Sequence, residues 1–140
     1  MRIGFRAFAS FFVCVGLGAA SAAQAASVTY TCSLASKQHK AWIPQVLFIG
    51  HDSAQDRVIV SDPMVLHFND APIEGRVARD TARRTVFAWH YTARDSKGQN
   101  ATMRFHATWS KDTKQMWLTA APDGFSKQFH GSGTCETGTL

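Results

Sequence analysis

The chain predicts an all-β domain, a small antiparallel β-barrel or sandwich of about seven to nine short strands closed by one disulfide. Three observations carry this expectation. Both arms of residues 84–109 alternate apolar and polar side chains around a glycine-containing turn. Elsewhere, short apolar runs are separated by turn signals at fairly even spacing, without a long stretch of helical period. Finally, Cys32 and Cys135 bracket nearly all of the chain that follows an export signal.

That signal is read over residues 1–25. Arg2 and Arg6 form a basic start, Phe8 to Gly18 a mainly apolar run, and Ala23-Gln24-Ala25 a small-residue cleavage site, with Ala20-Ser21-Ala22 as a second such site. The apolar run falls short of the ~20 residues that a membrane span requires, as does every later stretch. Cys14 follows Phe11-Phe12-Val13 rather than the small residues of a lipid-attachment site. The expected product is one free, soluble β domain over 26–140, periplasmic or secreted and monomeric. Of 15 basic residues, Arg2 and Arg6 leave with the signal, so 13 face 10 acidic ones and the formal charge is near +3. So mild a balance in an exported chain argues against nucleic acid as a partner.

Taken in order, Val28 to Cys32 reads as the first strand and Ser33 to Pro44 as a loop or short helical turn. The continuous apolar runs of Gln45 to Gly50 and Arg57 to Ser61 suit strands covered on both sides, with His51 to Asp56 as the turn between them. Ser61-Asp62-Pro63 breaks the chain. Met64 to Phe68 is expected to be another strand, Asn69 to Pro72 a turn, Ile73 to Ala78 a weaker strand and Arg79 to Arg84 a polar connection.

The next two strands are the most definite. Phe87, Trp89 and Tyr91 share one face of the first arm; Ala101, Met103, Phe105, Ala107 and Trp109 share one face of the second. A three-residue loop, Ser96 to Gly98, puts Gly98 at the left-handed position such a hairpin needs. It sets Trp89 opposite Phe105, Phe87 opposite Ala107 and Tyr91 opposite Met103. Turning at Ser110 to Thr113 brings in Lys114 to Ala120, with Met116 opposite Ala107 and Leu118 opposite Phe105. Pro122-Asp123-Gly124 turns again, Phe125 to His130 forms a short last strand, and Gly131 to Cys135 is a flexible tail fastened by the disulfide. In the chain-entropy model a loop of about 100 residues closed in this way is worth ~4.7 kcal/mol.

The same register places His90, Arg104, His106 and Trp117 together on the outer face, with Trp117 opposite His106. Exposed arginine and tryptophan are favoured at binding hot spots, and histidine as a residue type makes binding responsive to mild acid. Arg76, Arg79, Arg83 and Arg84 form the densest charge, either a solvated turn or an anion-binding edge. The six histidines show neither H-x-H nor H-E-x-x-H spacing, so no metal site and no cofactor is expected. His51-Asp52-Ser53 holds the residue types of a hydrolytic triad, but neighbours in one loop point apart.

A β domain opening with Tyr30-Thr31-Cys32 and closing near Cys135 resembles the small periplasmic inhibitors of C-type lysozyme, which are compact antiparallel barrels. Their Ser-Ala-Ser-Gly loop is absent here, so no inhibitory residue carries over. The alanine-rich signal without a lipid-attachment cysteine is similar to those of Gram-negative periplasmic proteins. The function expected is therefore a non-enzymatic exported binding protein whose outer sheet face engages a protein or an envelope glycan. The alternative is a lipocalin-like carrier with a small apolar ligand among Phe87, Trp89, Phe105 and Trp109.

Overall fold

The computed structural model describes residues 26–37 and 42–139. The signal read over 1–25, Cys14 included, lies outside the described residues, as do His39 and Lys40. Eight strands and one short helix follow in order: β1 (Ser27–Ala35), β2 (Val46–Asp52), β3 (Arg57–Ser61), α1 (Pro63–Asn69), β4 (Ile73–Asp80), β5 (Arg84–Arg94), β6 (Asn100–Ser110), β7 (Gln115–Pro122) and β8 (Phe129–Thr139). Each strand pairs antiparallel with the next and β8 returns to β1, so the sheet is a closed barrel rather than a sandwich.

The hairpin of β5 and β6 has the register its turn predicts: Trp89 pairs with Phe105, Phe87 with Ala107 and Tyr91 with Met103. Gly98 takes a φ of +78°. The Asp95 carboxylate accepts from the backbone N–H groups of Lys97 and Gln99 at 2.9 and 2.8 Å. The hairpin of β6 and β7 departs from expectation by two residues. Trp109 pairs with Met116, Ala107 with Leu118 and Thr108 with Trp117. Lys114 adopts a left-handed φ of 60° and stays in the turn, its N–H bonded to the Ser110 carbonyl at 3.0 Å. A slip of two keeps every side chain on its own face, so Met116 and Leu118 remain buried.

Three other expectations are corrected. Residues 64–68 are helical, not extended: Asp62 caps α1, its Oδ1 accepting from Met64 N–H at 2.7 Å and Val65 N–H at 2.8 Å, and Pro63 occupies the first turn. Both are strong start signals, but seven residues are too few to display a 3.6 period. Gly131 to Cys135, expected as a flexible tail, lies inside β8, which begins at Phe129 rather than at Phe125. Its glycines serve a close approach: a Cβ on Gly133 would overlap the Ser33 carbonyl of β1, and one on Gly131 would run into Ile43. The runs in β2 and β3 are covered on one side only, since Leu47, Ile49, Val58 and Val60 are buried while Phe48 and Ile59 stay partly exposed on the outer wall.

The barrel is filled by its own chain. Phe105 stacks between Trp89 (5.4 Å between ring centroids) and Tyr91 (5.0 Å), Phe68 of α1 continues the stack at 5.9 Å from Tyr91, and Trp42 follows at 5.9 Å from Phe68. Thus α1 plugs one end. At the other, Tyr30 meets Phe87 and Trp109 edge-on, each at 5.3 Å. His51, expected in a polar turn, extends β2 and lies 5.7 Å from the Phe87 ring. Asp80 accepts from the Thr85 hydroxyl and the Lys111 ammonium, each at 2.8 Å, and these bonds hold its carboxyl below the usual range.

Asp62 is different: it is buried, and its Oδ2 has no partner among the described residues. Desolvation raises its pKa, against which its two backbone bonds work. The folded state therefore holds this proton to higher pH than the unfolded one. The associated stability is fully present below the ordinary carboxyl range and is lost as pH rises through the raised value. Asp62→Asn keeps an N-cap acceptor without a buried charge. It should match or exceed the wild type at neutral pH, whereas Asp62→Ala should lose about 1 kcal/mol; urea unfolding between acid and neutral pH distinguishes them. Gly133→Ala should cost about 1–3 kcal/mol in the same assay, because the added methyl has no room between β8 and β1.

Candidate functional site

The outer wall carries the candidate site, and one ladder end shapes it. β4 pairs with β5 from Asp80 opposite Thr85 to Arg76 opposite Ala88, with a bulge between Val77 and Arg79. Beyond Arg76 its recorded partners are in β3, where Glu74 faces Ile59 and Gly75 faces Val58. A groove of about 250 Å³ opens there, lined by Glu74, Arg76, Ala88, His90, Arg104 and His106, together with Gly75, Trp89 and Phe105. Ala88 is the small floor between longer neighbours; the alternation of β4, β5 and β6 sends Arg76, His90, Arg104 and His106 outward around it.

Three of the four residues expected to form a patch therefore meet. His90 pairs directly across the strands with Arg104, and His106 with Ala88. Trp117 does not join them. The two-residue slip of β7 sets it opposite Thr108 and puts Thr119 opposite His106. Trp117 instead borders a separate depression of about 280 Å³ with Ala35, Lys37, His130, Gly131 and Ser132.

Charge in the groove is unevenly committed. Arg104 donates through Nε to the Asp123 carboxylate, an ion pair on the open surface. Arg104 holds the Asp123 carboxyl below its usual range, and His90 adds a smaller pull in the same direction. Glu74 is 3.8 Å from Arg57. Arg76 has no ion pair among the described residues, so it is the uncommitted cation of the groove. It belongs to the arginine-rich stretch 76–84, in which no local pattern separates it from Arg79, Arg83 and Arg84. Asp123 was legible only as a turn residue.

A third outer depression, about 310 Å³, is bordered by Phe48, Gly50, Ile59, Asp52, Gln55 and Arg57. Among the described residues, no group of three or more histidine, cysteine, aspartate or glutamate side chains could hold a metal ion, and no helix is long and apolar enough to cross a membrane. Comparison with protein-family models, curated proteins and solved structures finds no match for this chain.

The groove thus presents Arg76 and two imidazoles beside an arginine neutralised by Asp123. Asp123→Asn removes that neutralisation. Inorganic phosphate should then bind the groove severalfold more tightly, seen as a steeper NMR titration of the Ala88 and His106 signals, with thermal melting unchanged.

Proposed function

We propose that this is an exported, non-enzymatic binding protein that holds an anionic group of its ligand in the groove between β4, β5 and β6. The observation that carries the reading is the convergence of Arg76, His90 and His106 around the Ala88 floor. A guanidinium with two imidazoles offers several N–H donors to a phosphate or carboxylate, and hydrogen bonds to charged groups are the stronger kind. The groove is open to water, which suits reversible capture. Export is supported by the buried Cys32–Cys135 disulfide, a bond that persists in oxidising compartments. The filled interior favours the outer wall over the carrier reading, since an internal ligand would have to displace the stack of Trp89, Phe105 and Tyr91.

The test is a titration of the mature protein with inorganic phosphate at low salt, read by NMR. Saturable shifts should be confined to Arg76, Ala88, His90, Arg104 and His106. Affinity should drop about tenfold in Arg76→Ala, equivalent to one 1.4 kcal/mol step, and fall as salt is added. Shifts centred on Arg79, Arg83 and Arg84, or a response unchanged by Arg76→Ala, would overturn the reading.

A further inference from the structure

Trp117 is 42 % exposed, the outward exception among tryptophans that otherwise pack against the core. Its surroundings form a slot rather than a bare patch. Across the wall, Thr108, Trp117, Ser132 and Ala35 make one outward row through β6, β7, β8 and β1. One large flat side chain therefore stands among small ones. On its β8 side the depression of about 280 Å³ has Ala35, Gly131 and Ser132 along its base and Lys37 and His130 at its rim. The His130 ring is fixed by a 3.3 Å contact between its Nδ1 and the Thr119 hydroxyl. The Ser36 hydroxyl donates to the His130 carbonyl at 2.8 Å, tying the segment that carries Lys37 to β8.

We infer that this slot is a binding site for an acidic sugar, one carboxylated pyranose ring of a glycan. A pyranose has a face of C–H bonds and an edge of hydroxyls. The indole supplies a flat apolar wall for the face, the Ser132 hydroxyl supplies a hydrogen-bonding partner for the edge, and the Lys37 ammonium supplies the charge opposite to a carboxylate. The small residues at the base leave room for a ring to lie against the indole. A peptide fits less well. At this slot β7 and β8 are each paired on both sides, so no strand edge is offered there for an extended chain, and proline-rich ligands dock in grooves lined by several aromatic side chains, whereas Trp117 is this slot's one tryptophan, tyrosine or phenylalanine among the described residues. The inference does not depend on the groove of β4, β5 and β6, which lies on other strands.

The experiment uses the mature protein labelled with ¹⁵N and three probes: a linear triglucuronic acid, the neutral triglucose of the same linkage, and a proline-rich peptide. The Trp117 indole N–H signal is assigned by its loss in Trp117→Ala. Triglucuronic acid should shift that signal saturably, bind at least about tenfold more weakly to Trp117→Ala, and bind severalfold more weakly to Lys37→Ala; the neutral sugar should resemble the Lys37→Ala case. Arg76→Ala should leave this binding unchanged, so loss of phosphate binding at the groove and loss of sugar binding here are read separately. Ser132→Gln, which fills the slot while leaving the indole in the protein, serves if Trp117→Ala melts early, and should abolish the shift. A Trp117 signal indifferent to the acidic sugar, a shift that survives Ser132→Gln, or a response to the peptide alone would overturn the inference.

Discussion

The pairing of β8 with β1 is the constraint on which the structure depends. Every other ladder joins strands consecutive in the chain, whereas this one joins its two ends and closes the barrel. Cys32 lies directly opposite Cys135 in it, and the disulfide spans 103 residues. The approach is so close that Gly133 has no space for a side chain. Without this seam, β1 and β8 would each present unpaired backbone groups and expose the aromatic interior along a slit. With it, the inward side chains of all eight strands share one core, which α1 seals at one end.

What the sequence disclosed depends on how local the determinant is. The β5 and β6 register was legible because Gly98 and the alternation of two long arms specify it within one hairpin. The β6 and β7 register missed by two residues because Lys114, a residue that carries no turn signal, takes the left-handed position there. β8 was hidden for a different reason. Gly131-Ser132-Gly133 has the composition of a linker, and the need for glycine arises only from Ser33 and Ile43, far away in sequence. The short α1 had its cap and its proline in view but lacked the length to show a period.

The candidate site was half legible for the same reasons. His90, Arg104 and His106 meet because they belong to the hairpin whose register was determined, while Trp117 went elsewhere with the strand whose register was not. Arg76 reaches the groove because the β4 and β5 ladder ends at Ala88, a change of strand partner that no local pattern announces. Asp123 reaches Arg104 from the far side of the next turn. Outer-wall chemistry in such a barrel is set by which side chains become neighbours across strands, so an error of one pair relocates a residue from one depression to another.

The meander has a kinetic consequence. Seven ladders can form between neighbours in sequence as soon as each hairpin is available, so most of the structure has low contact order and little loop-closure entropy to overcome. The eighth must wait for the last strand. During synthesis, a chain lacking its final residues has hairpins in place but an open barrel, with β1 waiting as a bare edge that another chain could occupy. Oxidation of Cys32 with Cys135 marks the end of that interval and locks the last pairing to form.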